Sequence, residues 1–500
     1  MDLSNIDSVY FVGAGGIGMS ALVRYFLKHN KSVGGYDKVS TPLTATLIKE
    51  GAQIHYEDNV DLIPEAFKSL DPAKKSRILI IYTPAIPSTH TELTYFKENG
   101  FEIQKRAQVL GTITKSLHSK GLCVAGTHGK TTTSTMIAHI FDESHLGCNA
   151  FVGGISKNNG TNFIANPSSH FTVIEADEFD RSFHWLKPYM TVITAVDADH
   201  LDIYGDLPSY TESFEHYSSL VDPEGGVLIM KKGLKMTPRC PDTVKIYNYS
   251  LNDADSDFHA ENIRQIPIEK VSSEKVEDDQ NDLKKPIIHI SKGIIFDWVG
   301  PDCKITDIQL GVPVPINVEN AVAAIAIAHL NGVTDDEIRH SILSFKGVDR
   351  RFDFKIVTDK VVYLSDYGHH PVEVRESIKS VREMFIDNDG LFSKLTVAFQ
   401  PHLYSRTNDF YKEFAESLSL ADELILLDIY PARELPIEGV TSKLIFDNIE
   451  PDVKKEMCKK EDLVELIKSK DIQVLITLGA GDIDNLAPQI TEVLRKKYNV

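Results

Sequence analysis

The sequence predicts an α/β protein of three domains with mostly parallel sheets. Short apolar strands alternate with helical stretches along the chain, which is the pattern of parallel βα units. The 500 residues also exceed the roughly 100–200 residues of a typical domain. Two strands run into glycine loops that each open a helix. We therefore expect a Rossmann-like N-terminal domain (1–112), a central domain holding the second glycine loop (113–346) and a Rossmann-like α/β C-terminal domain (347–500).

Composition excludes several classes of partner. Lys and Arg number 53 against 72 Asp and Glu, a net charge of −19 that repels nucleic acid and anionic membrane surfaces. The five cysteines have no CxxC spacing, which predicts reduced thiols. No apolar run approaches the roughly 20 residues that cross a bilayer, so we expect a cytoplasmic protein without membrane insertion. The sequence leaves the oligomeric state open, a homodimer included.

The first glycine loop has the context of a dinucleotide-binding fingerprint. Gly13-x-Gly15-x-x-Gly18 follows an apolar strand and opens a helix predicted from Met19 to about His29. A second strand, Lys31 to Tyr36, leads to Asp37, which lies 37 − 18 = 19 residues beyond the last glycine. Such glycines let a pyrophosphate approach a helix N-terminus. The pattern does not decide between NAD and another nucleotide.

The remaining elements of the first two domains follow the same alternation. Helices are predicted at Leu43 to Glu50, His90 to Glu98 and Val318 to Leu330. Strands are predicted at Arg77 to Tyr82, Gly121 to Ala125, Phe171 to Glu175 and Met190 to Val196. The polar stretch Glu269 to Lys285 has neither period, so we interpret it as a solvated hairpin tip or insertion.

The second glycine loop, Gly126-Thr-His-Gly-Lys-Thr-Thr132, is a shortened P-loop. The standard pattern separates its glycines by five positions, whereas here Gly126 is three before Gly129. The chemistry survives the shortening because consecutive backbone N–H groups face phosphates. Lys130 neutralises β/γ charge and the Thr131 hydroxyl suits Mg²⁺. We expect Gly126, Thr127, His128, Gly129, Lys130, Thr131 and Thr132 to bind the phosphates of a nucleoside triphosphate.

Two acidic clusters come at the carboxyl ends of later strands of this domain. Glu175-Ala-Asp-Glu178 ends one strand and Asp197-Ala-Asp-His-Leu-Asp202 follows the next. Ligands gather beyond the carboxyl ends of strands in open α/β sheets, so both clusters are expected to face the phosphates. Glu175 and His200 are the predicted Mg²⁺ ligands together with Thr131, while roles for Asp177 and Asp199 stay open.

The third domain has predicted strands at Val361 to Ser365, Leu395 to Phe399, Leu424 to Leu427 and Val474 to Leu478, with a helix at Val372 to Phe385. With these elements in place, the motifs of the whole chain resemble those of the Mur ligase family. The resemblance rests on Ala125 to Thr133, Glu175 to Glu178, Asp197 to His200, Asn317-x-x-Asn320-Ala, Gly347 to Phe352, Asp366 to Pro371, Gln400-Pro-His402 and Gly479 to Asp482.

The resemblance implies roles that spacing alone does not give. The first domain would bind a UDP-sugar, with pyrophosphate contacts from Gly15, Gly16 and Gly18 and a substrate contact from Asp37. Asn317 and Asn320 would lie at the adenine end of ATP, and Lys130, Thr131, Glu175 and His200 around two Mg²⁺. Arg351 would reach the ATP phosphates on closure. Tyr367, His369 and Arg406 would surround the incoming amino acid.

The implied activity is ATP-dependent joining of L-alanine to the lactyl carboxylate of UDP-N-acetylmuramate through an acyl phosphate. Positioning and charge neutralisation by Lys130, Mg²⁺ and Arg351 would carry the catalysis. The base for the amine stays open between His200 and His369. The alternatives are a ligase that adds a ready-made tripeptide to the same UDP-sugar and, from another class, an NAD-dependent oxidoreductase.

Two departures from the family pattern indicate which branch of the Mur ligases this chain resembles. Leu403 stands directly after Gln400-Pro-His402, where an arginine is frequent, which leaves the amino acid carboxylate to Arg406 or to another partner. No lysine occurs between Lys187 and Lys231, the stretch in which several sibling ligases carry a carbamylated lysine. The missing lysine agrees with the alanine-adding branch.

Overall fold

The computed structural model describes residues 3–84, 86–87, 89–115, 119–267, 292–387, 391–432 and 434–500. The predicted insertion at Glu269 to Lys285 lies outside these residues. The chain forms two compact units. The first comprises the described residues up to Ala260 with Trp298–Ile305 and Asn320–Phe345, and the second comprises the rest. All five cysteines are free thiols. In the described part of the chain, no helix is long and apolar enough to cross a membrane.

The first sheet is parallel throughout, in the order β3-β2-β1-β4-β5. Its strands are β1 (Ser8–Val12), β2 (Ser32–Tyr36), β3 (Gln53–His55), β4 (Ile78–Tyr82) and β5 (Glu102–Lys105). Its helices are α1 (Ile17–Lys28), α2 (Pro42–Lys49), α3 (Pro72–Lys75), α4 (Thr91–Glu98) and α5 (Arg106–Thr114), and short 3₁₀ helices occupy Leu3–Asn5, Val60–Leu62 and Glu65–Phe67.

The second sheet has seven strands in the order β12-β11-β10-β6-β9-β7-β8, and the edge strand β8 pairs antiparallel with β7. The strands are β6 (Lys120–Ala125), β7 (Asn149–Ser156), β8 (Thr161–Ile164), β9 (Phe171–Glu175), β10 (Pro188–Ile193), β11 (Val227–Lys231) and β12 (Lys245–Tyr249). The helices are α6 (Lys130–Asp142), α7 (Leu201–Tyr204) and α8 (Leu207–Ser218), with a 3₁₀ segment at Phe179–Trp185.

A third sheet runs in chain order through β13 (His259–Pro267), β14 (Lys292–Gly300) and β15 (Cys303–Gln309). The helices α9 (Pro315–Leu330) and α10 (Asp335–Ser344) follow it. Helix α9 is apolar around its whole circumference in the run from Ala321 to Ala328, and every residue of that run is buried. A helix with no polar face has to be enclosed by the protein, which explains this placement.

The fourth sheet has the order β16-β17-β21-β18-β19-β20, in which β16 is antiparallel to β17 and the other pairs are parallel. Its strands are β16 (Asp353–Val357), β17 (Val362–Asp366), β18 (Leu395–Phe399), β19 (Glu423–Leu427), β20 (Lys454–Cys458) and β21 (Val474–Leu478). Its helices are α11 (Pro371–Phe385), α12 (Tyr404–Leu418), α13 (Lys443–Phe446), α14 (Leu463–Ser469) and α15 (Ala487–Tyr498), with 3₁₀ turns at Lys460–Asp462 and Ile483–Leu486.

The predicted class, α/β with mostly parallel sheets, is confirmed. The predicted strand Met190 to Val196 is the clearest difference in limits, because β10 ends at Ile193 and the next residues form an irregular loop. That loop carries Asp197 to His200 out of the sheet, as an acidic cluster facing a ligand requires. The domain limits 1–112, 113–346 and 347–500 stay a prediction.

Within the first unit, one hydrophobic core joins the first two sheets. It includes Phe11 and Phe26 from the first sheet and its helix α1, and Phe151 and Phe163 from the second sheet. The contact is also polar, since the Arg24 Nη1 donates to Asn162 Oδ1 at 2.6 Å and the pair is buried. Helix α1 is therefore held directly against strand β8.

Candidate functional site

The second glycine loop bends between β6 and α6 through two left-handed glycines. Gly126 has φ +135° and Gly129 has φ +79°, values that side-chain-bearing residues rarely adopt. A methyl group at Gly126 would lie 2.2 Å from Thr194 Oγ1, so the loop also has no room for a side chain there. The result is a close turn whose backbone N–H groups lead into the N-terminus of α6, an arrangement that binds anions.

Thr127 and His128 fasten this loop to the segment after β10. The Thr127 hydroxyl donates to the Asp197 carbonyl and accepts from the Asp197 N–H, both at 3.0 Å, and lies 3.1 Å from the Tyr210 hydroxyl. His128 Nε2 is 3.3 Å from Asp197 Oδ2. These two predicted ATP-binding residues thus shape the loop through Asp197. Thr132, the third residue of α6, is half-buried in the first turn.

Lys130 is the first residue of α6 and its ammonium folds back over the loop. It donates to Glu178 Oε1 at 2.8 Å, to the Thr127 carbonyl at 3.3 Å and to the Gly126 carbonyl. Burial lowers the pKa of Lys130, but the carboxylates of Glu178, Glu175 and Asp177 outweigh it and hold the pKa above its ordinary value. The lysine is therefore a charged group beside the phosphate-binding backbone.

Glu175, the last residue of β9, is anchored to the start of α6. Its carboxylate accepts hydrogen bonds from Thr131 Oγ1 at 3.0 Å, Ser134 Oγ at 3.4 Å and the Gly153 N–H at 2.9 Å. The structure thus brings together Thr131 and Glu175, two of the three predicted metal ligands. Both offer oxygen atoms, which Mg²⁺ prefers.

His200, the third predicted ligand, is next to a different glutamate. Its Nε2 lies 3.5 Å from Asp199 Oδ2 and 4.0 Å from Glu178 Oε1, so Glu178 stands between Lys130 and His200. Its backbone is left-handed at φ +52°, which turns the chain into α7. Among the described residues, no three His, Cys, Asp or Glu side chains converge as a metal site.

Mg²⁺ nevertheless fits this donor set. The ion keeps several waters and commonly takes only one or two carboxylates beside substrate phosphates. The Glu178 carboxylate is 3% exposed, and its Oε2 has no hydrogen-bond partner among the described residues. An acceptor atom buried in this way is available to a cation or to a donor supplied by water or a ligand. Sequence reasoning quoted Glu178 within its motif but assigned it no role.

In the first glycine loop, Asp37 closes back on the glycines. Asp37 Oδ2 accepts the Gly15 N–H at 2.6 Å and Oδ1 accepts the Val39 N–H at 3.1 Å. The Gly13 and Ala14 N–H groups are also used, since both donate to the Tyr36 carbonyl. Gly16 caps α1 without a side-chain hydrogen bond and is exposed. The amide of Gly15 is therefore already satisfied by Asp37, while the first turn of α1 faces outward.

Arg106, the first residue of α5, lies across the N-terminus of α1. A methyl group at Gly18 would fall 1.8 Å from Arg106 Nη1, so the absent side chain of Gly18 makes room for the guanidinium. Arg106 Nη2 also donates to Asp177 Oδ2 at 2.6 Å, and Lys105 Nζ donates to Asp180 Oδ2 at 2.7 Å. Sequence reasoning missed this cation, although two adjacent basic residues at a strand-to-helix junction were a usable signal.

In the second unit, Tyr367 is enclosed by two guanidinium groups. Arg350 and Arg351 lie 4.8 Å and 4.6 Å from its ring centroid. The rings of Tyr367 and His369 meet edge to face at 5.2 Å, and His369 Nδ1 lies 3.3 Å from Glu373 Oε2. Three of the residues predicted for this region, Arg351, Tyr367 and His369, therefore form one cluster.

Arg406 joins the same cluster through His402. The rings of His369 and His402 are 6.0 Å apart, and His402 Nδ1 lies 3.4 Å from Arg406 Nη1. Between them, Leu403 has φ +71°, a conformation that is strained for a branched side chain. The Leu403 N–H donates to the Tyr430 carbonyl at 3.0 Å. The bend at Leu403 lies between His402 and α12, and it leaves the His402 ring next to Arg406 in the first turn of that helix.

The two asparagines fall in different units. Asn320 belongs to the first unit and accepts from Thr133 Oγ1 at 3.2 Å, and its Oδ1 would lie 3.1 Å from a methyl group at Gly129. Asn317 belongs to the second unit, is buried and donates from Nδ2 to the Val312 carbonyl at 3.3 Å. Asn320 is thus beside the glycine loop, and the predicted adenine contacts stay a prediction.

A P-loop whose lysine is charged, with carboxylates at the neighbouring strand ends, defines a nucleotide-dependent phosphoryl-transfer protein. Three family models match in chain order: the Mur ligase family catalytic domain at residues 8–118, the Mur ligase middle domain at 124–328 and the Mur ligase glutamate ligase domain at 350–481. This chain belongs to the Mur ligase family of ATP-dependent amide-bond ligases. The predicted family and class of enzyme are confirmed, and the oxidoreductase alternative is set aside.

Relatives of known activity match along the full length. The UDP-N-acetylmuramate–L-alanine ligase of Phocaeicola vulgatus is 58% identical over 99% of this chain and 100% of its own. The ligase of the same name from Porphyromonas gingivalis is 48% identical over 97% and 99%.

Solved structures agree on the fold. The UDP-N-acetylmuramate–alanine ligase of Thermotoga maritima has a TM-score of 0.75 at 24% identity and covers 98% of this chain and 99% of its own. A murein peptide ligase of Psychrobacter arcticus has a TM-score of 0.64 at 19% identity, covering 97% and 98%.

Proposed function

We propose that this protein joins L-alanine to the lactyl carboxylate of UDP-N-acetylmuramate at the expense of ATP, in the cytoplasm, as a step of peptidoglycan precursor synthesis. The observation that carries the proposal is Lys130, held charged at the N-terminus of α6 by Glu178. The full-length similarity to L-alanine ligases selects this substrate pair among the reactions of the family.

The first step is transfer of the γ-phosphoryl group to the lactyl carboxylate. A carboxylate oxygen attacks the γ-phosphorus, ADP leaves and an acyl phosphate forms. Backbone N–H groups of the second glycine loop and the Lys130 ammonium would neutralise charge that develops on the phosphate oxygens. Because the loop is fixed by Thr127 and Asp197 before ATP arrives, little reorganisation is needed at the moment of transfer.

Thr131 and Glu175 would hold Mg²⁺ beside the phosphates, where the ion supplies further charge neutralisation. A second position would draw on Glu178 and His200, which flank the same loop. Glu178 has one oxygen on Lys130 and one oxygen without a described partner. This glutamate would therefore join the lysine to the second Mg²⁺ position.

The second step forms the amide. The amine of L-alanine attacks the carbonyl carbon of the acyl phosphate. Phosphate leaves and carries one oxygen that came from the lactyl carboxylate. Arg406 and Tyr367 would receive the amino acid and His369 would accept a proton from the amine, since these side chains form one cluster. Arg351 keeps its proposed role at the ATP phosphates. Glu373, 3.3 Å from His369 Nδ1, would fix the orientation of that imidazole.

The test is phosphate release with ATP, Mg²⁺ and UDP-N-acetylmuramate, with L-alanine, L-serine, glycine or the L-alanyl-γ-D-glutamyl-meso-diaminopimelate tripeptide as the acceptor. We expect L-alanine to give the highest kcat/KM. Stimulation by the tripeptide alone would replace the proposal with the recycling reaction. Release that is independent of UDP-N-acetylmuramate would contradict ligation in either form.

A further inference from the structure

Arg106 has two partners in different parts of the first unit. On one side its guanidinium covers the first turn of α1, where only a glycine at position 18 leaves room for it. On the other side it donates to Asp177, two residues beyond the end of β9. The side chains of Arg106 and Asp177 are 20% and 36% exposed, so both ends of this ion pair are accessible to a ligand.

The segment that carries Asp177 is held under strain. Asp180 and Arg181 are consecutive non-glycine residues with φ of +53° and +52°, each costing about 1 kcal/mol or more. Two ion pairs from the β5 to α5 junction, Lys105–Asp180 and Arg106–Asp177, hold this turn in place. Arg181 adds a contact at 4.7 Å over the Tyr204 ring. Both ion pairs therefore end on the same short turn.

The same turn also carries Glu178, the residue bonded to Lys130. Asp177 and Glu178 are neighbours in the chain, so one backbone link separates the partner of Arg106 from the partner of the P-loop lysine. A change in the Arg106–Asp177 pair is therefore felt next to the P-loop. Coupling of this kind requires a contact with two alternative arrangements, and Arg106 has two candidate partners.

We propose that Asp177 is a built-in competitor for Arg106, displaced when a pyrophosphate occupies the first turn of α1, so that this ion pair couples the first glycine loop to the P-loop. The proposal rests on the proposed function and on the pyrophosphate contacts that the family resemblance implies for this loop. An arginine fork binds phosphate as readily as carboxylate, and the pyrophosphate meets Arg106 and the α1 backbone together. The Arg106–Asp177 ion pair has to break when the UDP-sugar binds, and this lowers the affinity for the UDP-sugar.

The consequence is a pair of effects of opposite sign. Arg106→Ala removes a phosphate partner, so the dissociation constant for UDP-N-acetylmuramate should rise about 10- to 100-fold. Asp177→Asn releases the guanidinium from its competitor, so the dissociation constant should fall about three- to tenfold. Asparagine keeps the acceptor for the Phe179 N–H, which preserves the local turn. A purely structural ion pair would make both variants bind more weakly.

The experiment is calorimetric titration of UDP-N-acetylmuramate into the full-length protein without ATP. It compares wild type, Arg106→Ala, Asp177→Asn and the double variant. The double variant should match Arg106→Ala, because Asp177 acts only through the arginine. The matched control is Asp180→Asn, which breaks the neighbouring pair with Lys105, keeps a residue suited to a left-handed backbone and should leave the affinity unchanged.

The outcomes distinguish a failure of the proposed function from a failure of the competitor role of Asp177. If wild type does not bind UDP-N-acetylmuramate, the proposed function fails. If wild type binds but Asp177→Asn binds equally or more weakly, the competitor role of Asp177 is overturned and the proposed function stands. Tighter binding by Asp177→Asn that persists in the Arg106→Ala background would also overturn it. Arg106→Lys, which keeps the charge without the fork, should fall between wild type and Arg106→Ala.

Discussion

The two glycine loops of the first unit have the same place in their sheets and different sources of positive charge. Each follows the central strand of a fully or mostly parallel sheet and opens a long helix, α1 or α6. The second loop carries its own cation, Lys130, as the first residue of its helix. The first loop has no charged residue in the first turn of α1, and its cation is Arg106, which comes from α5.

The carboxylates beside the two loops also have different partners. Glu178 pairs with the lysine of the second loop, whereas Asp37 bonds to the backbone N–H of Gly15 in the first. A loop with its own lysine is suited to a phosphate that reacts, since the charge is fixed where it develops. A loop whose cation comes from another helix is suited to binding a phosphate that does not react. Binding there can also change the other contacts of that cation.

The largest expected effect belongs to the second loop. Lys130→Ala should lower kcat by about 10³-fold or more, because no other described cation is hydrogen-bonded to this loop. Phosphate release under saturating substrates measures it. Affinity for UDP-N-acetylmuramate without ATP should stay within about twofold of wild type, because the first loop has its own cation. A large loss of that affinity would contradict the assignment of the UDP-sugar to the first loop and of ATP to the second.

Gly126→Ala should cost roughly 2–4 kcal/mol of stability in the region of the second sheet and abolish ATP binding, because the methyl group meets Thr194 at 2.2 Å with φ at +135°. Thermal unfolding and nucleotide titration measure the two effects. The matched control is Gly160→Ala, also left-handed at φ +68° but with nothing within 4 Å of the added methyl. It should cost about 1 kcal/mol and leave ATP binding intact. Equal behaviour of the two variants would contradict the steric argument.

A buried network beside the first sheet should make the stability of this region depend on pH. Glu92 is fully buried and accepts from the Tyr10 hydroxyl at 2.7 Å and the Asn59 N–H at 3.2 Å. Burial raises the pKa of Glu92 to about 7. An acid with a raised folded-state pKa contributes stability at pH values below its ordinary pKa, and that contribution is lost as the pH rises through 7.

Glu92→Gln should therefore raise the midpoint of thermal unfolding relative to wild type at pH 8.5, by the equivalent of roughly 2 kcal/mol, and have little effect at pH 5. The neighbouring His55 and His90 have pKa values lowered by burial, so their effect runs in the opposite direction, towards loss of stability below their ordinary pKa. Asp58 lies 3.2 Å from His90 and is the other charge of the network. A pH-independent difference between variant and wild type would refute the assignment to Glu92.

The smallest expected effect is at the first loop. Gly18→Ala places a methyl group 1.8 Å from Arg106 Nη1, but the guanidinium is the end of a flexible chain and can move. UDP-N-acetylmuramate should bind about three- to tenfold more weakly, a loss of about 1 kcal/mol. In the Arg106→Ala background the same substitution should cost nothing further. An equal loss in both backgrounds would place the effect on the backbone of α1.

Sequence reasoning predicted the fold well because the strands are continuous apolar runs. The predicted limits of β9, β18 and β21 agree with the structure to the residue, and these strands are buried in parallel sheets. The loop and Lys130 were also predictable, since glycine spacing and the first helical residue determine where that side chain can reach.

The rest of the site depends on backbone turns that the sequence does not announce. Glu178 bonds to Lys130 at the start of a turn that contains two left-handed residues, Asp180 and Arg181, and neither is a glycine. Arg106 lies 88 residues after Gly18 in sequence, so only the order of strands in the first sheet brings them together. The cluster of Tyr367, His369 and Arg406 was expected only through resemblance to the family.

The central claim is that the second loop transfers phosphate to the carboxylate of a substrate whose pyrophosphate lies at the first loop, and the fate of one oxygen atom tests that transfer. UDP-N-acetylmuramate labelled with ¹⁸O in the lactyl carboxylate is turned over with ATP and L-alanine, and the released phosphate is analysed by mass spectrometry. If an acyl phosphate forms, one ¹⁸O from the carboxylate should appear in the phosphate for each amide made. Phosphate without label, alongside amide formation, would contradict the account.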